Sequence, residues 1–149
     1  MKEEKIWKDE KGVFGLPVQY MVALIVAGIA IALMSFAGYQ LYKDMQVKEA
    51  IREADKIVKE AELMYNTADK GTAQTVDVKF PSGMRKVVFG SSNLDNANRY
   101  YVIMDWGQNK SFYSKNVNFG VAVLYEGIGS VTLELETNNG GKYVKITPT

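Results

Sequence analysis

The sequence predicts an α+β fold: a long N-terminal helix, apolar in its first half and amphipathic in its second, packed on a small antiparallel β-sheet or sandwich head. Three observations predict it. Val13 to Tyr42 is an uncharged run of 30 residues. Apolar residues then recur at steps of three and four from Val47 to Ala68. After Gly71 the pattern changes to period two, punctuated by glycine. Residues 1–12 read as a leader, 13–70 as the helix with its membrane-scale half at 17–42, and 71–149 as the head.

The leader, MKEEKIWKDEKG, sets four lysines against four acids, and its last charge, Lys11, stands directly before Gly12. Pro17 suits the first turn of a helix, because the amide hydrogen it lacks has no intrahelical partner there. The helix is therefore expected to begin near it. From Val18 to Tyr39 the residues are apolar all round, with Met21, Val22, Leu24, Ile25, Val26, Ile29, Ile31, Leu33, Met34 and Phe36 on every side. Lipid or close neighbours must surround such a segment, and about 20 mostly apolar residues suffice to cross a bilayer core. Ala23, Ala27, Gly28 and Ala32, together with Ala30, Ala37 and Gly38, permit close approach of another helix.

Beyond Lys43 charged residues return, yet Val47, Ile51, Ala54, Val58, Ala61, Tyr65 and Ala68 keep one apolar seam. Lys48, Arg52, Lys56 and Lys59 alternate with Glu49, Glu53, Glu60 and Glu62 on the remaining faces, where pairs three or four apart add a few tenths of a kcal/mol each. Asp69, Lys70 and Gly71 end the helix, glycine being the residue that tolerates the left-handed conformation common there. A helix from Pro17 to Ala68 spans roughly 75 Å at 1.5 Å per residue.

In the head, Val76, Val78 and Phe80 alternate with Thr75, Asp77 and Lys79 before the turn Pro81-Ser82-Gly83. Further strands are expected at Arg85 to Gly90, Arg99 to Asp105, Lys110 to Ser114, Phe119 to Tyr125, Val131 to Glu136 and Tyr143 to Thr147. Val131, Leu133 and Leu135 against Thr132, Glu134 and Glu136 is the pattern of a sheet with one buried face. A head of this size has a marginal core, so the helical seam is expected to complete it, making the two one folding unit.

Composition removes several function classes. With no cysteine and no histidine, disulfides, thiolate nucleophiles, imidazole bases and the usual zinc, haem and iron–sulfur ligand sets are excluded. No cofactor and no metal are expected. The net charge of +1, from 18 basic and 17 acidic residues, is spread without a basic arm, so no nucleic-acid partner is expected. Asp77, Asp95, Asp105, Glu126, Glu134 and Glu136 are the acids an enzyme would need; four of them fall in or at the ends of expected strands, as solvated residues do, and the chain is not read as an enzyme. Asp95 to Asn98, DNAN, lacks the glycine and terminal glutamate of an EF-hand loop and reads as a turn. Asn109-Lys110-Ser111 is an N-glycosylation sequon on an exposed hairpin. Tyr100, Tyr101, Phe119 and Tyr125 read as core or subunit-interface side chains.

Lys11-Gly12 followed by a long apolar helix, an amphipathic extension and a β-rich head resembles an archaeal type IV pilin with a class III signal peptide. The segment from Phe80 to Gly90, FPSGMRKVVFG, is also similar to archaeal pilins. The specific part of the likeness is short, Lys11 to Gly28. The resemblance implies a leader cut by prepilin peptidase between Gly12 and Val13, with Lys11 as the preceding basic residue; Gly15 is a second candidate, without a basic residue before it. It implies a precursor held in the membrane by one span and in contact with lipid. Pilus assembly machinery then moves it into an extracellular surface filament, a homopolymer joined through the N-terminal helices and used in adhesion or surface attachment. Many members carry glutamate at the fifth mature position; counted from Val13, that position is Pro17, so no carboxylate stands there to neutralise a neighbour's amino terminus. Two other readings compete. One is a non-polymerising, single-pass anchored envelope protein with a β-rich binding head. The other is a secretory signal cut after Ala32 in Ala30-Ile31-Ala32, which leaves Leu33 to Tyr42 as a greasy new end.

Overall fold

A computed structural model describes residues 6–92 and 96–149, with side chains from residue 17 onward. The chain divides into two compact units, Met1–Tyr42 and Lys43–Thr149. One helix, α1 (Ile6–Thr67), is followed by strands β1 (Ala73–Asp77), β2 (Met84–Phe89), β3 (Arg99–Met104), β4 (Asn109–Tyr113), β5 (Ala122–Tyr125), β6 (Ser130–Asn138) and β7 (Gly141–Pro148). This is the α+β class that the change of period predicts.

The helix begins well ahead of Pro17, which lies inside it. A proline removes its own amide bond and crowds the carbonyl four residues back. Propagation on either side of one such defect carries the helix through it, because the costly step is nucleation and not extension. At the other end Ala68 still donates its amide to Met64, and Gly71 takes φ +87°.

All strand pairs are antiparallel. A three-stranded sheet has the order β1-β6-β7 and a four-stranded sheet the order β4-β3-β2-β5. An isolated parallel bridge between Phe119 and Val144 joins them, with the Gly120 amide donating to Val144 and the Val144 amide to Asn118. The strand expected at Phe119 to Tyr125 is therefore shortened: Asn118 to Gly120 serves β7, and only Ala122–Tyr125 pairs with β2. The same junction fixes Gly90. Its φ is +70°, and a Cβ there would lie 2.5 Å from the Phe119 carbonyl oxygen, so glycine is required on both counts.

Both sheets bury one face against the last part of α1. Ala50, Ala54, Ile57 and Ala61 have no exposed surface, and Val47, Val58 and Met64 are also buried. Ile51, Tyr65 and Ala68 are only partly covered. Of the expected seam, Val47, Ala54, Val58 and Ala61 are buried, and the centre of the buried face is turned from it by less than half a residue's rotation, toward Ala50, Ile57 and Met64. Three alanines along its middle let the sheets approach the helix axis, while Phe89, Phe119, Met84, Met104, Leu124, Leu133 and Leu135 fill the space beside them. Phe89 and Tyr100 stack at 5.7 Å, and Phe119 meets Phe89 edge-on at 5.4 Å.

Polar contacts fix the helix on the sheets. Glu53, expected on a solvated face, is 3% exposed; its Oε2 accepts from Lys56 Nζ at 2.7 Å and from the Lys79 amide at 3.0 Å. Burial alone raises the pKa of this carboxyl, but those two hydrogen bonds and the charges of Lys56 and Arg52 outweigh it and hold it below its usual value. Tyr100 donates to Asp55 Oδ1 at 2.6 Å, and Ser114 donates to Glu62 Oε1 at 2.8 Å. Burial, then the Asp55 hydrogen bond and charge, push the Tyr100 phenol well above its ordinary range, so it stays a neutral donor.

Candidate functional site

Within the first unit, the segment after Pro17 is helical and uncovered. Every large apolar side chain from Val18 to Tyr42 is more than half exposed, from 52% at Tyr42 to 74% at Met34. Nothing in the 18-residue window of strongest hydropathy is buried. The contrast with Val47 to Met64, whose apolar line is packed under two sheets, falls at the boundary between the two units. At about 25 cal/mol per Å² of apolar surface, such a segment is not stable in water alone.

Its polar groups are arranged for an apolar surrounding. Ser35, in mid-segment, donates its hydroxyl to the Ile31 carbonyl at 2.8 Å, so it needs no outside partner. Tyr20 stands near one end and Tyr39 and Tyr42 at the other, the level at which amphipathic rings favour a membrane interface. Residues 18–42 span about 37 Å as a helix, against a hydrocarbon core of about 30 Å. Among the described residues, one helix near the N-terminus is thus long and apolar enough to cross a membrane.

The small residues do not form one stripe. At 100° per residue, Ala23, Ala27, Ala30, Ala37 and Gly38 fall on one side of the helix, while Gly28 and Ala32 fall nearly opposite. A Cβ built at Gly28 or Gly38 meets nothing within 4 Å. Two sides are thus low enough for a neighbouring helix to approach.

Lys11, Gly12 and Val13, the expected leader cut, and the alternative Gly15 precede the residues whose side chains are described. Asp95 of the DNAN turn also lies outside the described residues. Asn98 of that turn donates its side-chain amide to the Ser114 carbonyl at 2.9 Å, a structural use. Asn109 is the exposed first residue of β4, opposite Ile103. Among the aromatic residues read as core or interface, Tyr100 and Phe119 are buried, Tyr101 is half-buried and Tyr125 is 56% exposed. Asp77, Asp105 and Glu126 are exposed, and Glu134 and Glu136 are partly so. Glu136 accepts from Tyr143 and Lys145, and these two bonds, in that order, hold its carboxyl below the usual range. Among the described residues no group of acids is placed to hold a metal ion. No family model, curated protein or solved structure matches this chain.

Proposed function

We propose that the chain is a subunit of an archaeal type IV pilus-like surface filament. It is made as a single-span membrane protein and cut between Gly12 and Val13 by prepilin peptidase. Pilus assembly machinery then builds it into a polymer by moving its apolar helix out of lipid and against sister helices. The observation that carries this reading is the uncovered segment from Val18 to Tyr42, whose apolar surface is exposed on every side. Lipid and a bundle of like helices both keep that surface from water, so exchange between them has a small net cost. A second support is the continuation of the same helix into the core of a β-rich unit, which fits a head presented outside the membrane for adhesion or attachment.

The test is the amino terminus and the assembly state of the protein from its own cells. A chain beginning at Val13 and recovered in sheared surface filaments is expected. A chain that keeps residues 1–12 and stays monomeric in the membrane fraction refutes the proposal and leaves an anchored envelope protein with a β-rich binding head.

A further inference from the structure

The outward faces of the two sheets differ in kind. In β6, Val131, Leu133 and Leu135 are fully buried, while Thr132, Glu134 and Glu136 point the other way. The register sets Ala73, Thr75 and Asp77 of β1 and Tyr143, Lys145 and Thr147 of β7 beside them. This face of the three-stranded sheet is polar, and its three carboxylates and one lysine leave it a net −2.

The four-stranded sheet turns aromatic and basic side chains outward. β3 buries Tyr100, Val102 and Met104 and turns Arg99, Tyr101 and Ile103 outward. Beside these in register lie Lys86 of β2, Val123 and Tyr125 of β5, and Asn109, Ser111 and Tyr113 of β4, while Val88 of β2, on the same rows, is buried. No carboxylate stands on these rows, so Lys86 and Arg99 make the face a net +2. Arg99 lies 5.3 Å over the Tyr101 ring and donates Nε to Ser111 Oγ at 2.8 Å, which ties its guanidinium to this side of the sheet. Tyr113 is 59% exposed and Tyr125 56%. Exposed aromatic rings set among polar and basic side chains are the make-up of a contact surface.

We propose that this basic, aromatic face docks on the acidic, threonine-rich face of the three-stranded sheet in a second copy of the chain. The charges are opposite and equal in number, and Thr75, Thr132 and Thr147 stand in one row across the three strands, a small-residue surface opposite the tyrosine rings. Because the two faces are different surfaces of one molecule, each copy keeps one face free after docking. A contact of this heterologous kind extends without limit unless it closes into a ring. The inference rests on the filament reading and adds to it a head-to-head contact that does not involve the apolar helix.

The chain has no cysteine, so engineered thiols report contacts between copies without background. Full-length Val123→Cys and Thr132→Cys chains co-expressed in the native cells should form disulfide-linked dimers under mild oxidation, and a chain bearing both should form ladders. Val123→Cys alone should stay uncrosslinked. Reversing Lys86→Glu and Arg99→Glu should lower the dimer yield about tenfold or more, because like charges facing each other oppose association. Asp77→Lys and Glu134→Lys in the partner should restore it, which damage to the fold would not allow. Filaments that form without these crosslinks, or Val123→Cys chains that dimerise as well as the mixed pair, overturn the docking alone. A chain that remains a solitary membrane protein overturns both the docking and the filament.

Discussion

Replacing Glu53 by alanine is expected to destabilise the second unit by about 2–3 kcal/mol. The Lys79 amide loses its part-buried acceptor at 3.0 Å, and a donor left without a partner costs about 1–3 kcal/mol. The 2.7 Å pair with Lys56 adds less than about 1 kcal/mol, since the lysine side chain is 45% exposed. Glu53→Gln keeps an oxygen for the Lys79 amide and is expected to cost about half as much as alanine. Urea unfolding of the full chain in detergent, followed by near-ultraviolet circular dichroism from the buried aromatic cluster, should move its midpoint down by about 1 M for alanine. The same residue sets a pH dependence. Because its carboxyl is held below the usual value when folded, the unfolded chain binds more protons in the acid range, and stability falls as pH drops from the unfolded carboxylate pKa through the folded one. Above that window the contribution is complete. The glutamine variant should lose this part of the acid slope. An alanine variant as stable as the parent, or a glutamine variant with an unchanged slope, refutes the assignment of Glu53 as the polar tie between helix and sheet.

Ala54→Leu places a larger side chain on the fully buried helix line and should cost at least about 1–3 kcal/mol, read from the same urea curves. Gly90→Ala should be comparably harmful, since the Phe119 carbonyl must move and the φ of +70° suits only glycine well; failure to lower the unfolding midpoint would show the junction to be soft. Ile29→Asp should prevent stable membrane residence and filament recovery together, a charge at mid-span costing about 2.5–3.5 kcal/mol on insertion scales, as checked by membrane fractionation. Peptides covering Asn109 from native cells should carry a glycan, and an unmodified Asn109 in their mass spectra would remove that site.

Much of the fold is legible because period and burial coincide. The alternation of Val131, Leu133 and Leu135 places β6 to within a few residues, whereas the helix ends at Thr67 and Gly71, at φ +87°, serves the following turn, in which the Thr72 amide donates to the Asp69 carbonyl. The β1 region is less direct: Val76, Val78 and Phe80 are all buried as their alternation requires, but strand pairing runs from Ala73 and ends at Asp77. Other features depend on partners distant in sequence. Glu53 is spaced like a surface charge, and only the arrival of the Lys79 amide from the far side of β1 explains why it is buried. Asn118 to Gly120 reads as the start of a strand, whereas its pairing with β7 is a tertiary event. Of the candidate site, the apolar run is plain from Val13 to Tyr42, since lack of charge is a local property. The aromatic and basic face, on Lys86, Arg99, Tyr101, Tyr113 and Tyr125, is visible only once register shows that these residues share one side of a sheet.

The hairpin of β6 and β7 pairs eight residues on each strand, ending at Asn138 opposite Gly141. Its tip is exposed, with the Gly140 amide donating to the Asn138 carboxamide oxygen across the turn and Gly141 at φ +113°. Lengthening a surface loop costs only about 0.6 kcal/mol per doubling. A foreign epitope spliced between Asn139 and Gly140 therefore leaves the ladder below it intact, giving the protein a natural place for peptide display.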